Sequence, residues 1–159
     1  MLGDFTAKFT NKKIPCIKLG GKYYLENKPL EKHRLKQKEK VFGLYLGEEK
    51  EGTFIPSFGL LELLSQYSQE KVFVKDIGEI DFLYGKTLRS RHIDHVEGDA
   101  KIGFLKLVQN IYDENLGYGK ITEDISQAGQ VLKPKLDRGL FLKREKKQAK
   151  EKVLLLQKG

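Results

Sequence analysis

The chain has 159 residues, of which 33% are charged and 39% hydrophobic, so it can form one domain or two small ones around a real core. Its net charge of +8 favours a polyanionic partner, nucleic acid first and an anionic membrane second. The single cysteine, Cys16, excludes an internal disulfide and any multi-cysteine zinc site. No window contains the roughly 18 apolar residues of a membrane span, and the first ten residues lack the apolar core of a signal peptide. We therefore expect a cytoplasmic protein.

The beginning of the chain predicts a hairpin followed by a charged segment. Residues 14–25 have the pattern of two short strands around a turn at Gly20 and Gly21, which is a strong hairpin signal. Residues 28–40 are mostly charged and predict a solvated loop or a short helix.

The next segment completes a small N-terminal module. Residues 41–46 predict a strand that Gly47 and an acidic turn interrupt. Residues 56–69 predict a helix because leucines recur at helical spacing, and Ser57 is suited to cap its first turn. The apolar pattern then changes to period two near residue 70. We place a domain boundary there, which gives an N-terminal α+β domain over 1–70 and a second domain over 71–159.

The second domain predicts several short strands and one helix. The strands are expected at 72–74, 80–83, 130–136, 140–144 and 153–157, with Pro134 at an edge or a bulge. An apolar stripe over 102–112 predicts a helix that ends at Gly117 and Gly119. Short strands with glycine turns are typical of a small, partly open β barrel. The predicted fold class is therefore α+β, a small α/β module followed by a β pseudo-barrel with an inserted helix.

Three motifs resemble those of a known family. They are KVFVKDIGEIDFLYGK at 71–86, GYGKITEDISQ at 117–127 and GQVLKPKLDRGLFL at 129–142. Together with CIKLGGKYYL at 16–25 and FIPSFGLLELL at 54–64, they are similar to the Nip-seven family of large-subunit ribosome-assembly factors. That family joins a short N-terminal domain to a C-terminal PUA domain. Residues 90–115 depart from it as an insertion between the first two motifs.

The resemblance implies a PUA-like pseudo-barrel that binds pre-rRNA or rRNA in ribosome assembly, with protein partners recruited through the N-terminal domain. Size and composition favour an archaeal source. We expect no membrane partner, no cofactor and a monomer.

The basic stretch after residue 130 is the first candidate RNA-binding site. Along a strand, Lys133 and Lys135 share one face, so their cations can neutralise successive phosphates. Arg138, Lys143 and Arg144 follow, and arginine adds planar, bidentate phosphate contacts. The alternative is a solvated edge whose lysines deter strand-to-strand aggregation.

Two glycine turns supply the other candidates. Gly85 allows close approach of a nucleic-acid backbone, and Lys86 and Arg89 beside it are candidates for phosphate contact. Tyr84 could stack on a base or belong to the core. Lys120, next to the second turn, is a candidate if that turn lines the same groove.

No arrangement of residues predicts catalysis or a metal. His92, His95, Glu97 and Asp99 offer ligands, but the spacing is not that of a zinc site, and a solvated loop is the better interpretation. The sequence has no P-loop, nucleophile elbow or H-E-x-x-H motif. We therefore expect a non-catalytic RNA-binding factor. The alternatives are an RNA-delivery module for a separate tRNA- or rRNA-modifying enzyme, and a protein-interaction adaptor whose basic face only confers solubility.

Overall fold

The structure, a computed structural model, describes residues 1–26, 43–139, 151 and 153–157. The chain divides into two compact units, Met1–Lys71 and Val72–Gly159. The segments predicted at 28–40 and 140–144 lie outside the described residues. Within the described ranges, no helix is both long enough and apolar enough to cross a membrane.

In its described residues, the first unit is an antiparallel four-stranded sheet with two helices. Its elements are α1 (Leu2–Thr6), β1 (Cys16–Leu19), β2 (Lys22–Leu25), β3 (Tyr45–Lys50), β4 (Thr53–Pro56) and α2 (Phe58–Tyr67). The strand order is β1-β2-β3-β4. The predicted β1–β2 hairpin is confirmed, and both turn residues, Gly20 and Gly21, have the positive φ that a tight two-residue hairpin turn requires.

The predicted helix in this unit is confirmed, together with its cap. The Leu60 amide donates to the Ser57 Oγ over 3.0 Å, and that hydroxyl donates to the Tyr45 carbonyl over 2.6 Å. The predicted interruption at Gly47 is wrong, because β3 continues to Lys50 and the chain turns at Glu51 and Gly52 instead. Glu48 and Glu49 can remain in the strand because both side chains are only half-buried and Glu49 pairs with Lys18 across the sheet.

The second unit is built on a six-stranded sheet that curls into a half-barrel. Its elements are β5 (Lys71–Val74), α3 (Asp76–Leu83), β6 (Leu88–Arg89), a 3-10 turn (Ser90–His92), β7 (Ile93–Glu97), β8 (Leu105–Gln109), β9 (Asn115–Ile121) and β10 (Gln130–Asp137). The strand order is β6-β10-β9-β8-β5-β7. Val72, Phe82, Leu88, Val108 and Leu132 belong to its buried core. The predicted α+β class with a partly open barrel is confirmed.

Two secondary-structure predictions in the first part of this unit are wrong. Residues 80–83 form the end of helix α3 rather than a strand, and the acidic Asp76 and Glu79 in its first turn suit a helix N-terminus. Residues 102–112, where an inserted helix is predicted, contain strand β8 instead. Four successive residues of β8 are buried, so both faces of this strand are covered. A short apolar run of that kind does not distinguish a strand from a helix.

The last part of the unit differs partly from prediction. The predicted strand at 130–136 is confirmed as β10, and the register shifts between Pro134 and Leu136 as expected for a bulge. Gly117 and Gly119 lie inside β9 rather than at the end of a helix. The predicted final core strand at 153–157 is wrong, because these residues are helical and exposed.

A carboxylate joins three neighbouring strands of the first unit. Lys18 Nζ lies 2.9 Å from Glu49 Oε2, and the Tyr23 hydroxyl donates to the other carboxylate oxygen. The Tyr23 hydrogen bond, and then that of Lys18, hold the pKa of Glu49 below its ordinary value. The carboxylate therefore connects β1, β2 and β3.

Acidification is expected to remove this contribution to stability. Because the folded pKa of Glu49 lies below the unfolded one, its stabilisation is present above the unfolded pKa and is lost as the pH falls through the folded pKa. Urea unfolding across the acid range should show a smaller pH-dependent loss in Tyr23→Phe than in the unmodified protein. Tyr45→Phe is the control, because the Tyr45 hydroxyl has no hydrogen bond to a carboxylate within the described residues. Equal pH dependence in all three proteins would contradict this role of the Tyr23 hydroxyl.

A methyl group at position 117 should strongly destabilise the second unit. Gly117 has φ of 144°, and a Cβ there would lie 1.9 Å from the Leu136 carbonyl oxygen. We expect Gly117→Ala to lower the free energy of unfolding by roughly 3 kcal/mol or more, since strain and a backbone clash add. Gly103→Ala is the matched control, because Gly103 also has positive φ but open space around it. Chemical denaturation measures both, and equal losses would contradict the clash.

Candidate nucleic-acid interface

Two lysines meet directly on neighbouring strands of the second unit. Lys120 on β9 is paired with Lys133 on β10, and both side chains are exposed. The next pair along the same strands, Ile121 with Leu132, is fully buried. Because successive side chains point to opposite faces, the buried pair fixes the two lysines on the outer face of the sheet.

The lysine pair carries an electrostatic cost. Directly opposed residues of an antiparallel pair have Cβ atoms roughly 5 Å apart, and like charges there repel each other. No salt bridge joins Lys120 or Lys133 to a carboxylate within the part of the chain that the structure describes. The pair therefore presents concentrated positive charge to the solvent.

Arg89 extends this charge to a third strand. It lies on β6, opposite Gln130 of β10, whereas its neighbour Leu88 is buried opposite Leu132. Alternation along β6 therefore turns Arg89 to the face that carries Lys133. We call Arg89, Lys120 and Lys133 the cationic face, since they lie on the three neighbouring strands β6, β9 and β10. Lys135 is also exposed, at the bulge of β10.

Lys86 belongs to a small network that reaches the backbone of Arg89. Its Nζ lies 3.8 Å from Asp81 Oδ1, and the other oxygen of Asp81 lies 3.3 Å from His92 Nε2. His92 Nδ1 accepts the Arg89 amide over 2.9 Å. Burial, mainly, lowers the pKa of His92, and Arg91 and Arg89 lower it further against the opposing effect of Asp81. The neutral imidazole thus orders the backbone that carries Arg89.

The predicted solvated loop around this histidine is wrong. His92 is buried in the 3-10 turn and residues 93–97 form β7. His95 stacks on Phe73 with ring centroids 4.2 Å apart and contacts Asp94 over 2.7 Å. Among the described residues, no three His, Cys, Asp or Glu side chains group as a metal site.

The Arg138 side chain binds a backbone carbonyl group. Its Nε donates to the Asn115 carbonyl over 2.8 Å, and its amide donates to the Leu116 carbonyl over 3.0 Å. Its side chain is only partly exposed. Arg138 therefore joins the end of β10 to the start of β9, and the geometry does not place it with the cationic face. Lys143 and Arg144 lie outside the described residues.

A polar cluster that sequence reasoning missed closes the β8–β9 hairpin. Asn115 Nδ2 donates to Gln109 Oε1 over 2.7 Å and to the Gly117 carbonyl over 3.0 Å. Gln109 Nε2 donates to Asp113 Oδ1 over 3.0 Å. The signal in the sequence is the polar turn NIYDEN at 110–115, which the predicted helix obscured. The cluster holds the side chain of Asn115, the residue whose backbone carbonyl Arg138 binds.

The comparisons with known proteins identify the fold of this unit. Residues 70–146 match the family model described as the UPF0113 PUA domain. The second unit has the fold of a PUA domain. The chain matches no curated protein.

Two solved structures are similar to the chain in fold. One is a conserved PUA domain protein from Thermoplasma acidophilum, with 15% identity and a TM-score of 0.55 over 86% of this chain and 85% of that one. The other is a hypothetical protein from the hyperthermophilic archaeon Pyrococcus horikoshii OT3, with 14% identity and a TM-score of 0.53 over 86% of each chain. At these identities the likeness concerns the fold.

Removal of the Arg138 side chain should affect stability. We expect Arg138→Ala to lower the free energy of unfolding by roughly 1.5–3 kcal/mol, because it removes a charged hydrogen bond to the Asn115 carbonyl. Lys135→Ala, an exposed cation on the same strand, should stay within about 0.5 kcal/mol of the unmodified protein. Chemical denaturation distinguishes the two variants. Equal stability of both would contradict the structural role of Arg138.

Proposed function

We propose that the protein is a non-catalytic RNA-binding factor that holds RNA phosphates on the cationic face of its PUA domain. The observation that carries this proposal is the direct opposition of Lys120 and Lys133 on the outer face of the sheet. PUA domains are in general RNA-binding domains, and the PUA assignment supports RNA as the polyanion. The excess of 30 basic over 22 acidic residues agrees with such a partner.

A phosphate between the two lysines would convert repulsion into attraction. Each ammonium group donates up to three hydrogen bonds, and displacement of condensed counterions from the RNA favours the complex. Arg89 would add a planar donor fork that suits two oxygens of one phosphate. Contacts of this kind fix the position of the RNA backbone and carry no base sequence information.

We further propose a role in assembly of the large ribosomal subunit, with pre-rRNA or rRNA as the ligand. The support is the resemblance of the motifs at 71–86, 117–127 and 129–142 to the Nip-seven family, and the order of the two units along the chain. The N-terminal unit would recruit assembly or RNA-processing proteins. Delivery of RNA to a separate modifying enzyme is the alternative that uses the same cationic face.

The first test is binding to short single-stranded RNA, duplex RNA and DNA of equal length across a salt series. We expect Lys120→Gln/Lys133→Gln to bind single-stranded RNA at least about tenfold more weakly at low salt. The slope of log K against log salt should decrease by about 1.4, since each lost single-strand phosphate contact contributes about 0.7. Fluorescence anisotropy measures both quantities.

The matched control is Lys22→Gln/Lys50→Gln, which removes two exposed lysines from strands of the first unit. It has the same change in net charge, so it should retain most of the affinity if the cationic face is the site. Equal losses in the two double variants would mean that net charge alone governs binding. Negligible binding of the unmodified protein to all three nucleic acids would favour the adaptor function instead.

A further inference from the structure

Helix α3 exposes an apolar stripe. Ile77, Ile80 and Tyr84 follow one another at spacings of three and four residues, so they lie on one side of the helix. Their exposed fractions are 55%, 56% and 50%. The opposite side of the helix is buried through Gly78 and Phe82, which position α3 against the sheet. We call Ile77, Ile80 and Tyr84 the α3 stripe.

The α3 stripe is bordered by negative charge. Asp76 is exposed and Glu79 is partly exposed, both in the first turn of α3. Neither carboxylate pairs with a cation among the described residues. Asp81, the third acid of the helix, contacts Lys86 and His92 instead. An acidic border makes this surface unsuited to RNA and suited to an apolar segment that carries lysines.

The same chain contains a segment of that chemistry. Residues 153–156 read Val-Leu-Leu-Leu, are helical and have exposed fractions from 52% to 81%. In the sequence from 145 to 159, five lysines accompany two glutamates. We call residues 153–156 the C-terminal apolar run. Four contiguous large apolar residues on the surface are typical of an interaction segment.

We propose that the C-terminal apolar run of one copy of this chain docks on the α3 stripe of a second copy. Within one chain both apolar surfaces remain exposed, and the net positive charge of the sequence from 145 to 159 is complementary to the acidic border of the stripe. If each copy gives its run to the other, two equal contacts form and the assembly closes as a two-fold dimer. The contact leaves Lys120 and Lys133 free for RNA.

The test compares two full-length variants with altered contacts. The stripe variant is Ile77→Ser/Ile80→Ser, and the run variant is Leu155→Ser/Leu156→Ser. Ile102→Ser is the matched control, since Ile102 is 65% exposed and belongs to neither surface. Sedimentation velocity from about 5 μM to about 500 μM covers the affinities that a small interface supports. Circular dichroism and the unfolding midpoint verify that each variant is folded.

We expect the unmodified protein and Ile102→Ser to dimerise with increasing concentration, and each contact variant to associate at least about tenfold more weakly. The decisive measurement is an equimolar mixture of the two variants. The stripe variant retains its run and the run variant retains its stripe, so their mixture should regain one contact and associate more strongly than either alone. Raised salt should weaken all of these associations.

Four results would overturn the proposal. A monomeric unmodified protein at every concentration would mean that the two surfaces serve other partners. Dimerisation of the run variant at the unmodified strength would indicate a stripe-to-stripe contact, and the same result for the stripe variant would indicate a run-to-run contact. A mixture no stronger than its components would exclude docking of the run on the stripe.

A control separates dimerisation from RNA binding. Persistence of the dimer in Lys120→Gln/Lys133→Gln would show that bound RNA does not cause it.

Discussion

The close passage of β9 along β10 governs the geometry of the second unit. A side chain at position 117 would meet the Leu136 carbonyl, and one at 119 would approach Leu132 and the Lys133 carbonyl within 2.8 Å. Glycine at both positions lets the strands pair closely enough to bring Ile121 against Leu132 in the core and Lys120 against Lys133 on the outside. The positions of the Lys120 and Lys133 charges therefore depend on the two glycines, which are uncharged.

The cationic side chains of the second unit have two different roles: some support the fold, and others face the solvent. Lys106 is fully buried, and its Nζ donates to the Glu97 carbonyl over 2.9 Å. Arg138 binds the Asn115 carbonyl in a similar way. Buried cations need such acceptors, because an unpaired charge in the interior is costly. The cations that support the fold therefore do not add to the cationic face, although they count in the net charge of +8.

The sequence predicted those elements whose local signals agree with their surroundings. The Gly20-Gly21 hairpin, the Ser57-capped helix and the β10 bulge at Pro134 each have a residue type that restricts the backbone directly. Strand β8 lies where the apolar pattern predicts a helix, because both of its faces are buried and its apolar residues show no alternation. For the candidate site, the pairing of Lys120 with Lys133 depends on the register between strands, which no local pattern contains. The burial of His92 and the contact of Arg138 with a backbone carbonyl likewise depend on tertiary packing.

The polar turn between β8 and β9 has a consequence for the order of folding. Gln109 and Asn115 join the hairpin across only five intervening residues, whereas β6 pairs with β10 across about forty. Short loops cost less entropy to close than long ones, so we expect the β8–β9 hairpin and then β10 to assemble before β6 joins the sheet. The opposed lysines would then come together early, so their repulsion opposes the pairing of β9 with β10 from the first steps of folding.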